Sequence, residues 1–303
     1  MTKVAITDYT FDSLDVEKEI LEPLGCEIAS GQCKTPEQLI ELTADADCII
    51  AQFAPVNSDV VEAMNRAKVI VRYGIGVDNV ALDKAKEKNI PVCNVPDYCV
   101  DEVADHTLAF ILASTRQVFS NSQFVRSGKW GLAVPLVSMK TLRDMTVGVI
   151  GFGRIGREVC QRLLPFKAKI LVYDPGVSDE DVKESGFHPI DLSELLTQSD
   201  LVTLHCPSNA QTQRIMNRKT INQMKAGSIL INLGRGDLVE TEALIEALES
   251  GHLGGAALDV FDPEPVPADS PLLRMDNVIV ASHIASASVR AVRTLRETAA
   301  NIV

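Results

Sequence analysis

Thr146-Val147-Gly148-Val149-Ile150-Gly151-Phe152-Gly153-Arg154-Ile155-Gly156 is an apolar strand running into a G-x-G-x-x-G turn, with helical sequence following to about Leu164. The glycine spacing alone is common by chance, and its setting gives it weight. Gly151 permits the tight turn, Gly153 lets backbone approach a pyrophosphate, and Gly156 lets helix and strand pack closely. The helix amino terminus, with Arg154 and Ile155 in its first turn, offers unbonded N–H groups and a positive dipole to those phosphates. The next strand, Ile170-Leu171-Val172-Tyr173, ends at Asp174. A carboxylate there accepts both ribose hydroxyl hydrogens of NAD and repels the 2′-phosphate of NADP. The competing reading of Asp174 is a turn residue before Pro175. Strand, glycines, helix, strand and acid in this order predict NAD as the cofactor.

Outward from this unit, short β-rich apolar runs alternate with longer amphipathic stretches along the chain, the pattern of parallel α/β architecture. Ahead of it, strands are expected near Val4–Thr7, Cys48–Ile50, Val69–Val71 and Val92–Asn94. Helices are expected near Leu14–Leu24, Pro36–Leu42, Val60–Met64 and Asp83–Glu87. Ala104, Thr107, Leu108, Ile111, Leu112 and Thr115 recur at helical spacing and predict a long helix from about Asp101 to Val118. A loop of about Ser127 to Ser138 follows. Beyond Asp174, strands are expected near Leu201–His205, Ile229–Asn232, Ala256–Val260 and Val278–Ala281. Four prolines between Asp262 and Pro271 make that segment a rigid loop. A closing helix from Ser288 sets Val292, Leu295, Ala299 and Ile302 on one face. The expected fold class is α/β, with two Rossmann-like, doubly wound, parallel-sheet domains and a cleft between them.

The 303 residues suit two compact domains, and 46% hydrophobic with 23% charged residues supplies two cores. No apolar run approaches the roughly 18 to 20 residues of a membrane span. The amino end passes from one lysine straight into Val4-Ala5-Ile6, so no leader is expected and the location is cytoplasmic. A net charge of −12 with no basic block argues against nucleic-acid binding and against anionic membranes. An anionic metabolite stays open, because a few arginines in a cleft override the mean charge locally. Seven cysteines form no C-x-x-C pair and no ligand spacing, so no metal is expected and the thiols read as reduced packing residues.

Three further segments end expected strands: Asn232-Leu233-Gly234-Arg235-Gly236, Asp259-Val260-Phe261-Asp262-Pro263-Glu264-Pro265 and Ser282-His283-Ile284-Ala285. Earlier stand Arg72-Tyr73-Gly74-Ile75-Gly76-Val77-Asp78-Asn79, Pro96-Asp97-Tyr98 and Asp101-Glu102-Val103-Ala104-Asp105-His106. With the glycine motif they span residues 72 to 285 in one order, and in that order the chain resembles the D-isomer-specific 2-hydroxyacid dehydrogenases. The wording around Tyr98 and His106 is similar to the branch that includes phosphoglycerate dehydrogenase-like enzymes and the C-terminal-binding proteins, NADH-binding transcriptional co-repressors. The resemblance implies hydride transfer between NAD and a small 2-hydroxy or 2-oxo acid. It also implies a substrate domain of 1–99 plus 285–303, a cofactor domain of 100–284, and a homodimer formed through the cofactor domains. The sequence ends at Val303 inside the closing helix, where the family continues for some tens of residues.

The chemistry accounts for these residue types. Reducing a 2-oxo acid needs hydride at C2 and a proton at the carbonyl oxygen, beside a carboxylate that must be held. Arg235 suits the carboxylate, because its planar fork makes two charge-assisted bonds. His283 suits the proton, as general acid for reduction and general base for oxidation. Glu264 would bond the far side of the imidazole, orient it and favour its protonated form. Each alone has a plain reading as a salt-bridged, solvated or structural residue. Their joint placement at strand ends behind the glycine motif favours catalysis.

By resemblance, Asp259 accepts a bond from the nicotinamide carboxamide, and Thr212, Leu233, Gly234 and Ala285 lie near the cofactor. His205, Cys206 and Pro207 line the cofactor cleft on the same basis. Gly74, Ile75 and Gly76 suit an anion nest for a carboxylate, and Arg72 either adds a second cation to the substrate site or simply ends a strand. Residues 52–54, 72–76 and the loop near Trp130 would shape the substrate pocket. Two rivals stand beside this reading. One is an NADH-responsive binding protein with little turnover. The other is a formate dehydrogenase, whose branch carries glutamine where this chain has Glu264.

Overall fold

The computed structural model describes residues 1–303 and divides into two compact units, Met1–Cys99 with Ala287–Val303, and Val100–Ser286. The first unit holds β1 (Thr2–Ile6), β2 (Cys26–Ser30), β3 (Cys48–Ala51), β4 (Val69–Arg72) and β5 (Val92–Cys93) in a parallel sheet of order β2-β1-β3-β4-β5. The second holds β6 (Thr146–Ile150), β7 (Lys169–Tyr173), β8 (His188–Pro189), β9 (Leu201–Leu204), β10 (Ser228–Asn232), β11 (Leu253–Leu258) and β12 (Val278–Val280). Its order is β12-β11-β10-β9-β6-β7-β8, again with every pairing parallel. Strand order reverses about β1 in the first sheet and about β6 in the second, and ligands of such sheets gather where it does, at the carboxyl edge.

The central strands are apolar without alternation because helices cover both faces. Val4, Ala5, Ile6, Ile49, Ile50, Ile70 and Val71 are fully buried in the first unit, as are Val147, Val149, Leu201, Val202, Leu204, Leu230 and Ile231 in the second. Each large apolar side chain so buried stabilises its unit by about 1.5–3 kcal/mol.

The helix Val289–Ile302 returns to the first unit, against the helix Asp15–Leu21. Leu295 and Ala299 of the expected stripe are buried and Ile302 packs against the same core, while Ala291 and Ala300 point inward where Val292 was expected to. Arg296 reaches the fully buried Glu17 with two bonds, Nε to Oε1 at 2.9 Å and Nη2 to Oε2 at 2.7 Å. The Tyr73 hydroxyl also donates to Glu17 (2.9 Å), and the guanidinium lies 4.7 Å from the Phe11 ring centroid. A buried carboxylate without these donors would be costly, so the helix is pinned in register.

The long helix expected to reach Val118 spans Val100–Thr115 and then breaks. Gln117 takes a left-handed conformation (φ 52°), its side chain caps the Ser114 carbonyl at 2.7 Å, and a second helix runs from Val118 to Arg126. Arg162 fastens the first of these helices to the helix of the glycine motif through Asp101 (2.7 Å) and Asp105 (2.8 Å).

Candidate active site

At the end of β6, Gly151 sits at φ 98°, and a Cβ there would stand 2.5 Å from the Cys206 backbone nitrogen. A Cβ on Gly156 would stand 2.0 Å from the Gly151 carbonyl oxygen, so strand and helix meet at backbone distance. Gly153 differs: nothing lies within 4 Å of its absent Cβ, and it is the N-cap of the helix Arg154–Leu163 with no side-chain cap. Arg154 is exposed beside it and Ile155 half-buried. Uncapped helix N–H groups beside an open backbone approach fit the diphosphate of a dinucleotide.

Asp174 directly follows β7 and faces this turn. Its Oδ2 accepts from the Phe152 N–H (2.7 Å) and its Oδ1 from the Gly176 N–H (2.8 Å). Each oxygen keeps a second lone pair, so the turn-holding and ribose-binding readings are compatible.

His205-Cys206-Pro207 leaves β9 with its backbone against Gly151. The His205 Nε2 lies 2.9 Å from the Thr203 hydroxyl, and burial pushes its pKa down to about 4. Burial likewise raises the Cys206 thiol to about 11, which suits a packing role over a reactive one. Thr212 donates its hydroxyl hydrogen to the Pro207 carbonyl (2.6 Å), so toward a phosphate that group can only accept.

The lowered His205 pKa has a consequence for stability. The unfolded chain takes this proton near 6.5 and the folded chain only near 4, so acid between those values favours unfolding. The contribution is at most about 3 kcal/mol and levels off below that window. Thermal unfolding of His205→Gln should therefore show a shallower pH dependence between 6.5 and 4 than the wild type. Equal slopes would clear His205 as the cause.

At the end of β10, Asn232 ties the following turn to itself. Its Nδ2 donates to the Arg235 carbonyl (2.7 Å) and its Oδ1 accepts from the Gly234 N–H (3.0 Å). Leu233 is buried between them. A Cβ on Gly236 would stand 1.9 Å from the Phe261 carbonyl, so the Arg235 turn lies directly on the segment that carries Glu264. Asn232 was readable only as part of a motif; its signal is a side-chain amide at a strand end two residues before a glycine.

His283 Nδ1 lies 2.8 Å from Glu264 Oε2, and Glu264 Oε1 accepts from the Phe261 N–H at 2.9 Å. Burial opposes ionisation of Glu264, but the His283 hydrogen bond, the Phe261 amide and the charges of His283 and Arg235 outweigh it. Its carboxyl is held below the usual range. His283 itself is left-handed (φ 56°), an uncommon state for a non-glycine residue. Asp259, fully buried at the end of β11, holds that turn: it accepts from the N–H of Ile284 (2.9 Å) and of Ala285 (2.8 Å), while its carbonyl accepts from His283 N (2.7 Å). The visible work of Asp259 is thus to position His283.

In the first unit Arg72 is buried at the end of β4, with its guanidinium 5.7 Å from the Phe53 ring centroid. Its side chain crosses Gly74 (φ 149°) where a Cβ would collide with it. The Gly74 N–H is spent on the Arg72 carbonyl (2.9 Å), but the N–H groups of Ile75 and Gly76 have no protein acceptor, so the nest narrows to those two. Trp130 is 91% exposed.

Residues 108–285 match the family model described as D-isomer specific 2-hydroxyacid dehydrogenase, NAD binding domain. A glyoxylate reductase of Korarchaeum cryptofilum is 36% identical over 253 residues, 82% of this chain and 76% of its own. A hydroxypyruvate reductase of Thermotoga maritima is 37% identical over 261 residues, 85% of this chain and 83% of its own. Among solved structures, a D-lactate dehydrogenase from Aquifex aeolicus, complexed with NAD and lactic acid, superposes with a TM-score of 0.88 at 31% identity, covering 99% of this chain and 93% of that one. By these matches the chain belongs to the D-isomer-specific 2-hydroxyacid dehydrogenase family, and its second unit carries that family's NAD-binding domain.

Proposed function

We propose that the chain reduces a small 2-oxo acid to its D-2-hydroxy acid, and runs the reverse oxidation, with Arg235, Glu264 and His283 as its catalytic residues. The observation that carries this reading is the 2.8 Å contact of His283 with Glu264 beside the Arg235 turn. When bound, NADH supplies the hydride. His283 gives the carbonyl oxygen its proton from Nε2, because Nδ1 is turned to Glu264, and takes that proton back in oxidation. Glu264, its carboxyl held below the usual range, orients the imidazole through Nδ1, and Arg235 holds the substrate carboxylate and polarises its carbonyl.

The test is NADH oxidation across glyoxylate, hydroxypyruvate, its phosphorylated form and branched-chain 2-oxo acids, with NADPH in parallel. One clear best substrate with NADH supports the enzyme. NADH binding without turnover on any of them would favour the sensor reading, which the reductase and dehydrogenase names of the relatives do not support.

The assembly we propose is a homodimer through the cofactor unit. Phe119 (53%), Trp130 (91%), Leu136 (72%) and Val137 (76%) are exposed apolar side chains within residues 119–137 of that unit, which a partner subunit would cover. Sedimentation should give a dimer, and Trp130→Glu with Val137→Glu should shift it toward monomer; a wild-type monomer would refute the assembly. Seven free thiols support a cytoplasmic location, which fractionation would check.

A further inference from the structure

We propose that Asp237 is a positioning residue for the cofactor: with Ser208 it latches the loop after β9 in the pose that receives NAD, an inference that rests on the cofactor reading above. The loop of residues 206–213 is knotted within itself. Thr212 Oγ1 donates to the Pro207 carbonyl (2.6 Å), Asn209 N donates to Thr212 Oγ1 (2.9 Å), and Gln211 N donates to Asn209 Oδ1 (2.9 Å). Such a loop moves as one piece about its ends. Between those ends one hydrogen bond ties it to the rest of its unit, from the Ser208 hydroxyl to Asp237 Oδ2 at 2.6 Å. At the far end the tie is again Asp237, whose carbonyl accepts from the N–H of Arg214 (2.8 Å), itself left-handed at φ 52°.

Asp237 stands two residues after Arg235, so the latch joins the loop beside the glycine turn to the turn that carries the carboxylate-binding arginine. The arrangement has a cost. Asp237 Oδ1 is buried with no hydrogen-bond partner, and an acceptor left so is unfavourable. Local rules are broken in this way where a position serves function more than stability. With the latch closed, Pro207 and Thr212 meet the cofactor already ordered; with it open, the loop must be ordered on binding, and affinity falls by the fraction of time the competent pose is held.

NADH affinity, read by fluorescence or calorimetry without substrate, tests this. Asp237→Ala and Ser208→Ala should each weaken NADH binding about tenfold, and the double variant should be no weaker than either. Asp237→Asn, which keeps an acceptor for Ser208, should stay within about twofold of wild type. Turnover at saturating NADH and KM for the 2-oxo acid should hardly move. Unchanged NADH affinity in both single variants, or losses that add in the double, would overturn the latch. Failure of the wild-type chain to bind NADH at all would instead overturn the cofactor reading on which it stands.

Discussion

Replacing His283 by alanine is expected to lower turnover of the best 2-oxo acid about 10²- to 10⁴-fold while NADH affinity stays nearly unchanged. The size follows from losing a positioned proton donor, and the separation from binding follows from where the cofactor is held. The glycine turn, the uncapped helix and Asp174 are remote in sequence from His283 and owe nothing to its imidazole. The wild-type rate of reduction should also fall as pH rises, because only the protonated imidazole serves as acid. Glu264, held ionised to lower pH than an ordinary carboxyl, keeps that dependence intact on the acid side. Stopped-flow or steady-state assays with NADH saturating would read all of this. Wild-type turnover in His283→Ala would remove the histidine from the mechanism.

Asp259→Ala should come close to it, with a fall in kcat of about 10²-fold, although the removed carboxylate is fully buried and its bonds run to backbone. It fastens the amides of Ile284 and Ala285, the two residues that follow left-handed His283. Bonds to a charged acceptor contribute about 1.5–3 kcal/mol each, enough to hold a histidine where its backbone would not otherwise rest. Without them the turn relaxes and the Nδ1 contact with Glu264 opens. Asp259→Asn separates this role from contact with the nicotinamide. An amide can accept from one of the two N–H groups but not serve both, so a partial loss is expected, with the histidine's pH profile distorted and NADH affinity kept. If Asp259→Ala loses NADH affinity in proportion to its rate, the residue works mainly on the cofactor.

Much of this molecule was legible from residue order, and what was not has identifiable causes. The apolar centres of β1, β3, β4, β6, β9 and β10 announced themselves because both faces are covered. β2 did not, since Cys26–Ser30 is an edge strand with a single large apolar residue, Ile28, and pairs only with β1. β8, a two-residue edge at His188–Pro189, has no apolar run to announce it either. β11 begins at Leu253, earlier than the expected Ala256, because Gly254 and Gly255 carry no apolar side chain by which a strand is read. Their smallness serves close approach instead: a Cβ would stand 2.6 Å from the Gly227 carbonyl and 2.7 Å from that of Asn277. The break at Gln117 depends on one side chain closing a helix end, which periodicity does not register. In the proposed site, Arg235, Glu264 and His283 are readable because the proposed chemistry requires their side-chain types. Asn232, Asp237 and the actual bonds of Asp259 were not, because they act on backbone and loops whose proximity only the fold creates.

The returning helix Val289–Ile302 also orders events in time. Its Arg296 completes the charge on buried Glu17, 279 residues earlier in the chain, so a ribosome must first make the whole cofactor unit before the first unit can close. Val100–Ser286, continuous in sequence, is able to fold as it emerges, while residues 1–99 wait with an uncompensated buried acid and an uncovered helix face. Folding of this enzyme is therefore expected to run from the middle outward, with the first-made residues among the last to settle.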